Sequence, residues 1–186
     1  MPEIRALRRM TDAIEDASVL DKAVAFDRAV VRATARPRAL RQLLHGVPFG
    51  HPIHPLMVQV PLGTWISAAV LDLLGGKGNA KAATTLVGVG LASAGSASVA
   101  GYVDWAELGT KQLRTGWVHQ AVNWVGISLY GLSWAQRRAG NHGAGKVLGF
   151  AGLAVVGVGG YLGGHLAYRQ RAGVSAAGEV PFDGIH

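Results

Sequence analysis

The chain has 186 residues, 49% of them apolar, with a mean hydropathy of +0.25, too apolar for an ordinary soluble domain and too short for two. Its net charge of +7 lies in the flanks of apolar runs and comes with no nucleic-acid signature, which points to anionic lipid headgroups rather than nucleic acid. The absence of cysteine excludes a disulfide, a thiolate metal site, a four-cysteine cluster and c-type haem, leaving histidine, carboxylate and tyrosine to carry any chemistry.

Residues 1–45 alternate acids and bases, while Ile4, Leu7, Met10, Ile14, Leu20, Val24 and Val31 recur at roughly helical spacing. That pattern predicts an amphipathic helix lying on the membrane or on a bundle. The segment closes on Arg36-Pro37-Arg38-Ala39-Leu40-Arg41, a basic cluster that reads as a solvated linker or as a headgroup anchor.

Four runs without Asp, Glu, Lys or Arg follow: Pro55 to Leu71, Ala82 to Val103, Trp117 to Gln136 and Val147 to Tyr168. Each has the length of a membrane-crossing helix, and the first begins too far into the chain for a cleaved signal. Short connections then predict an all-α, integral-membrane antiparallel four-helix bundle over residues 46–175, with a tail over 176–186 and both termini on one side, side A. Side A carries Arg36, Arg38, Arg41, Lys111, Arg114, Arg169 and Arg171; the opposite side B carries Lys77, Lys81, Arg137, Arg138 and Lys146. The excess of bases favours side A, and with it both termini, as cytoplasmic.

The first run opens "GHPIHPLMVQVPLG". A residue before proline is pushed out of the helical region, so His51 and His54 are expected to be extended, with Pro55 as the first helical residue and Pro61 kinking the span. In a polyproline-like stretch the two rings share a face about 9 Å apart, which suits one inward-facing histidine better than a chelating pair. His119 near the start of the third run and His165 near the end of the fourth also fall on side A, as do Asp104 and Trp105. Asn123 lies one turn below His119 on the same face. Ionisable groups in membrane segments read first as functional, although interfacial imidazoles also serve as plain hydrogen-bonding residues. The glycines in "VGVGGYLGGHLAYR" admit either close helix packing or a flat ligand. A polar path through the midplane is missing, which ranks a channel or transporter below a one-sided binding site.

These motifs, "GHPIHPLMVQVPLGTW" with the later "LD", "DW", "RTGWVHQAVN" and "GGYLGGHLAYR", together resemble bacterial membrane proteins grouped as domain of unknown function 2231, over about residues 46–175. The resemblance implies a four-span bundle whose characteristic positions match His51, His54, Asp72, Asp104, Trp105, His119, Asn123, Gly164 and His165. Some similar proteins continue into a Rieske domain, which implies redox traffic and a Rieske-type partner. This chain departs by carrying Gln59 where many relatives have His or Asp.

Three functions compete. A b-type haem would be held by His119 or His165 with His51 or His54, oriented by Asn123, its propionates near Arg114 and Arg169. Zinc, copper or non-haem iron would take His54, His119, His165 and Asp104. A structural or assembly subunit would need no cofactor and use the polar layer to fix packing. A quinone or other small molecule is a further alternative. No nucleophile or acid–base pair points to an enzyme.

Overall fold

The computed structural model describes residues 5–35 and 37–172, so Ile4, Arg36 and the 176–186 tail lie outside the described residues. Those residues form helices α1 (Arg5–Glu15), α2 (Asp21–Thr34), α3 (Arg38–Leu44), α4 (His54–Met57), α5 (Gln59–Leu74), α6 (Lys77–Trp105), α7 (Thr110–Arg138) and α8 (His142–Gly164), with no strand among them. A π-helical turn, His165–Arg169, continues α8.

The helices outrun the apolar sequence at both ends. The expected Gly75 to Lys81 connection shrinks to Gly75 and Gly76, whose φ values of 72° and 88° favour glycine. The Asn79 amide donates to Gly75 O at 2.7 Å and closes the turn. Charged flanks extend a helix at little cost where its ends meet water, so hydrophobicity marks the membrane core and not the helix.

The kink expected from Pro61 takes the form of an interruption at Val58, between α4 and α5. Proline at 61 has no N–H for the carbonyl four residues earlier, and the ladder opens just there. His54 departs from expectation: α4 begins at His54 itself, with Pro55 second, so His54 is helical and only His51 lies outside the helix, in an exposed bend.

α5 packs on α6, and α7 on α8, as two antiparallel hairpins; α6 also meets α7, and α8 meets α5. α5 and α7 are therefore diagonal, as are α6 and α8. The core is narrow: Trp65, Ala68, Ala83, Val87, Ala94 and Tyr130 are buried with Leu71, Leu86, Ile127 and Leu153 around them. Outside it, Leu62, Ile66 and Val70 of α5 and Val147, Phe150 and Val158 of α8 are exposed. A row of large apolar side chains on the outer face is what a bilayer covers. Three helical stretches, His54–Leu74, Lys77–Trp105 and His142–Arg169, are long and apolar enough to cross a membrane. α7 is as long but does not reach that apolarity, because it carries His119, Asn123, Ser133 and Arg137 along its inner side.

The N-terminal segment is three helices rather than one, interrupted at Asp16 and Ala17 and again beside Pro37. Of the two supports expected for it, the bundle takes the apolar face: Leu20, Val24 and Val31 pack with Trp105, Ala106, Leu113 and Trp117. Phe26, Val30, Leu40 and Leu43 remain exposed on the other side.

Candidate functional site

The two hairpins are related by an internal repeat. His54, Trp65 and Asp72 of the first correspond to His119, Tyr130 and Arg137 of the second, 65 residues on in every case. In the second helix of each hairpin, "GLASAG" from Gly90 corresponds to "GLAVVG" from Gly152, and Ala97 and Gly101 to Gly159 and Gly163, all 62 residues on. Diagonal placement of α5 and α7 puts corresponding residues face to face across an approximate two-fold axis along the bundle. Trp65 and Tyr130 stack there with ring centroids 4.0 Å apart and planes 10° from parallel. Arg137 forks onto Asp72, Nη1 donating to Oδ1 at 2.9 Å and Nη2 to Oδ2, with the two side chains only 1% and 3% exposed.

Glycines make the approach possible. A Cβ on Gly90 would sit 2.2 Å from Trp65 Nε1, and one on Gly152 would sit 3.0 Å from Tyr130. Large rings on α5 and α7 thus lie in notches cut into α6 and α8, the packing role expected for small residues in membrane bundles.

The third set of corresponding residues is His54 and His119. Each imidazole hands Nδ1 to a carbonyl on its hairpin partner: His54 to Ala97 O at 2.8 Å, and His119 to Gly159 O at 2.8 Å. Ala97 and Gly159 are themselves corresponding positions. Because a carbonyl only accepts, both rings donate from Nδ1 and turn Nε2 away from these carbonyls. Each ring is also pressed against a corresponding glycine: a Cβ on Gly101 would come within 2.8 Å of His54, and one on Gly163 within 3.0 Å of His119. The Asn123 amide nitrogen lies 3.2 Å from His119 Nε2 and donates to His119 O at 2.9 Å. Asn123 also contacts the α8 backbone, since a Cβ on Gly159 would sit 2.5 Å from its Oδ1.

The remaining expected site residues are engaged elsewhere. His165 is buried, and its Nε2 meets Glu15 Oε1 of α1 at 2.9 Å. Gln170 donates to the same oxygen at 2.9 Å and to Thr115 Oγ1 at 3.0 Å. Burial alone would raise the Glu15 carboxyl, but the Gln170 and His165 hydrogen bonds and the nearby His165 and Lys111 charges outweigh it and hold the group below its ordinary value. Arg114 forks onto Asp21 at 2.7 and 2.9 Å and donates to Glu15 O at 2.8 Å, so its guanidinium fastens the N-terminal helices. Asp104 Oδ1 pairs with His45 Nδ1 at 2.7 Å. His51 is exposed, its Nδ1 3.2 Å from Pro52 O. Arg169 lies in the π turn after His165. No group of three or more His, Asp or Glu residues among the described residues is placed to hold a metal ion.

Sequence reasoning missed His45, Glu15 and the pairing of Arg137. Arg137 had been counted as a loop base on side B, yet it is buried and spent on Asp72. Self-comparison at offsets of 62 to 65 residues was the signal that would have found it, because it brings the charge on one hairpin opposite the opposite charge on the other.

Fold and polar layer together define an all-α integral-membrane helical bundle with an internally repeated hairpin. The chain belongs to the family described as predicted membrane protein, DUF2231, whose family model matches residues 50–176. No curated protein and no solved structure matches it.

Proposed function

We propose that the protein is a four-span b-type haem protein that passes electrons in the bacterial inner membrane, with His54 and His119 as the axial pair. The observation that carries this reading is the identity of the two residues at the third corresponding position. At the other two levels the repeat has diverged into partners that satisfy each other directly, an aromatic stack and an acid with a base. Both imidazoles commit Nδ1–H to carbonyls and leave Nε2 to meet a ligand, with the Asn123 amide nitrogen 3.2 Å from that of His119. A haem iron would accept imidazole nitrogen lone pairs, and His54 and His119 would be the residues that hold it. Donation of Nδ1–H to a backbone carbonyl is also what orients an axial histidine and raises its basicity. The donor set therefore fits haem b, which supplies one-electron redox chemistry when bound. Gly101 and Gly163 keep side chains away from both rings.

α7 serves as the fourth span in this reading. Its exposed face carries Trp124, Val125, Leu132 and Trp134, while Tyr130, Ser133 and Arg137 are buried inside. Twenty-nine residues of helix reach about 43 Å, more than the roughly 30 Å of a hydrocarbon core. Side A remains the proposed cytoplasmic face, since the buried Arg137 no longer counts for side B. A Rieske-type partner and anionic lipids remain proposals on the same footing.

A cofactor-free structural subunit is the second reading, favoured by the backbone hydrogen bond that each imidazole already has. Pyridine haemochrome analysis of protein from haem-replete cells separates the two. The haem reading expects a single haem per chain, lost in His54→Ala and in His119→Ala; haem-free protein that still folds leaves the structural reading.

A further inference from the structure

A groove of about 480 Å³ separates α2 and α3 from the last two turns of α6, apart from the histidine pair. That is within the range of small-molecule sites. Val31, Leu40, Leu44, Val99 and Val103 form an apolar floor and walls. The polar groups at its edge are already satisfied: Asp27 accepts from Trp117 Nε1 at 2.8 Å, and Thr34 Oγ1 bonds Val30 O at 3.0 Å. Tyr102 Oη accepts from Trp124 Nε1 at 2.9 Å and keeps its own proton to donate.

Two features give the groove a direction. Val30, Leu40 and Val99 are each more than 40% exposed, so it opens sideways toward the lipid-facing surface of α6. Its other end shares Val31, Ala35 and Val103 with a smaller pocket that Arg32, Arg41 and Glu107 line. Arg32 approaches Glu107 only at 3.7 Å, an exposed pair that leaves most of its guanidinium donors unused. An apolar slot that opens to the bilayer and ends at two guanidinium groups against one carboxylate, Glu107, keeps a net positive end that complements an amphiphile with an acidic head.

We infer that this groove is a binding site for an anionic phospholipid, one acyl chain lying along Val99 and Val103 and the phosphate seated against Arg32 and Arg41. The lipid then fills the seam between the N-terminal helices and the bundle, tying them together without inserting α2 into the membrane.

The test uses full-length protein in detergent, delipidated and titrated with phosphatidylglycerol or phosphatidylcholine of identical acyl chains, with retained lipid counted by native mass spectrometry. Phosphatidylglycerol should be retained at a single copy and at least about tenfold more tightly than phosphatidylcholine. Arg41→Ala should erase most of that preference while leaving acyl-dependent binding. Val99→Trp fills the groove from its exposed side and should abolish retention of both lipids with an unchanged circular dichroism melt. Equal retention in Val99→Trp, equal affinity for the two headgroups, or displacement by an isoprenoid quinone with no phospholipid retained would each overturn the assignment. A melt lowered in Val99→Trp moves the test to Val99→Phe, with the same expected loss.

Discussion

Removing the base from the buried Asp72–Arg137 pair should cost far more than removing the pair. Arg137→Met leaves the Asp72 carboxylate, 3% exposed, without its guanidinium. Breaking one side of such a pair costs about 3–5 kcal/mol. For a chain of this length that lowers the melting temperature by on the order of 10 °C. Asp72→Leu strands the Arg137 charge in the same way, although Ser133 Oγ and Gly145 O still accept from it. The double variant Asp72→Leu/Arg137→Met removes both charges together. Gly145 O keeps its 2.6 Å bond from Ser133 Oγ, so little is orphaned. The double variant should therefore lie within about 1 kcal/mol of the parent, or above it, since apolar replacement of a buried pair is often neutral or stabilising. Circular dichroism at 222 nm in detergent reads the melt, because a chain without cysteine gives thiol-reactive dyes nothing to label. A double variant as unstable as the two single losses added together would refute the reasoning, because the two charges would then not be acting on each other.

Three further outcomes follow from the same geometry. Gly90→Ala, whose Cβ meets Trp65, should destabilise by about 1–3 kcal/mol in the same melt, whereas Gly131→Ala, with open space around its Cβ, should be neutral or gain up to about 1 kcal/mol. Glu15 has a folded pKa below its ordinary 4.5, so its share in docking α1 is fully present above that value and disappears as pH falls through the folded one. Emission from Trp117, whose indole bonds Asp27 of α2, should shift in acid, and Glu15→Gln should shift it already at neutral pH; emission unchanged by Glu15→Gln would contradict this latch. Reporter fusions at Gly78 and His186 should place Gly78 outside and His186 inside; activity of a periplasm-only reporter at His186 would reverse the orientation.

Three spans were legible because a bilayer demands uninterrupted apolar helix, and Pro55 to Leu71 or Val147 to Tyr168 announces that in composition alone. Helix ends were not, since Lys77, Arg137 and Arg138 are helical outside any apolar run. For the histidines the sequence offered only depth. Depth along a helix says nothing of azimuth, and azimuth separates His165, turned to Glu15, from His119, held by Gly159. His45 escaped notice because it stands before the first span, in a segment read only for its amphipathic period. The glycines were legible as a choice between packing and pocket. Gly90 and Gly152 resolve that choice toward packing at the aromatic level, while Gly157, Gly160 and Gly164 have nothing within 4 Å of a built Cβ.

The central claim is that His54 and His119 act as one pair, and the reduced-minus-oxidised absorption spectrum of the purified protein tests it most directly. The account predicts sharp low-spin bands in the parent chain, retained in His51→Ala and His165→Ala and abolished equally by His54→Ala and His119→Ala, with all four variants inserted and folded. A colourless parent protein from haem-replete cells, or bands that survive His54→Ala and His119→Ala, would contradict it.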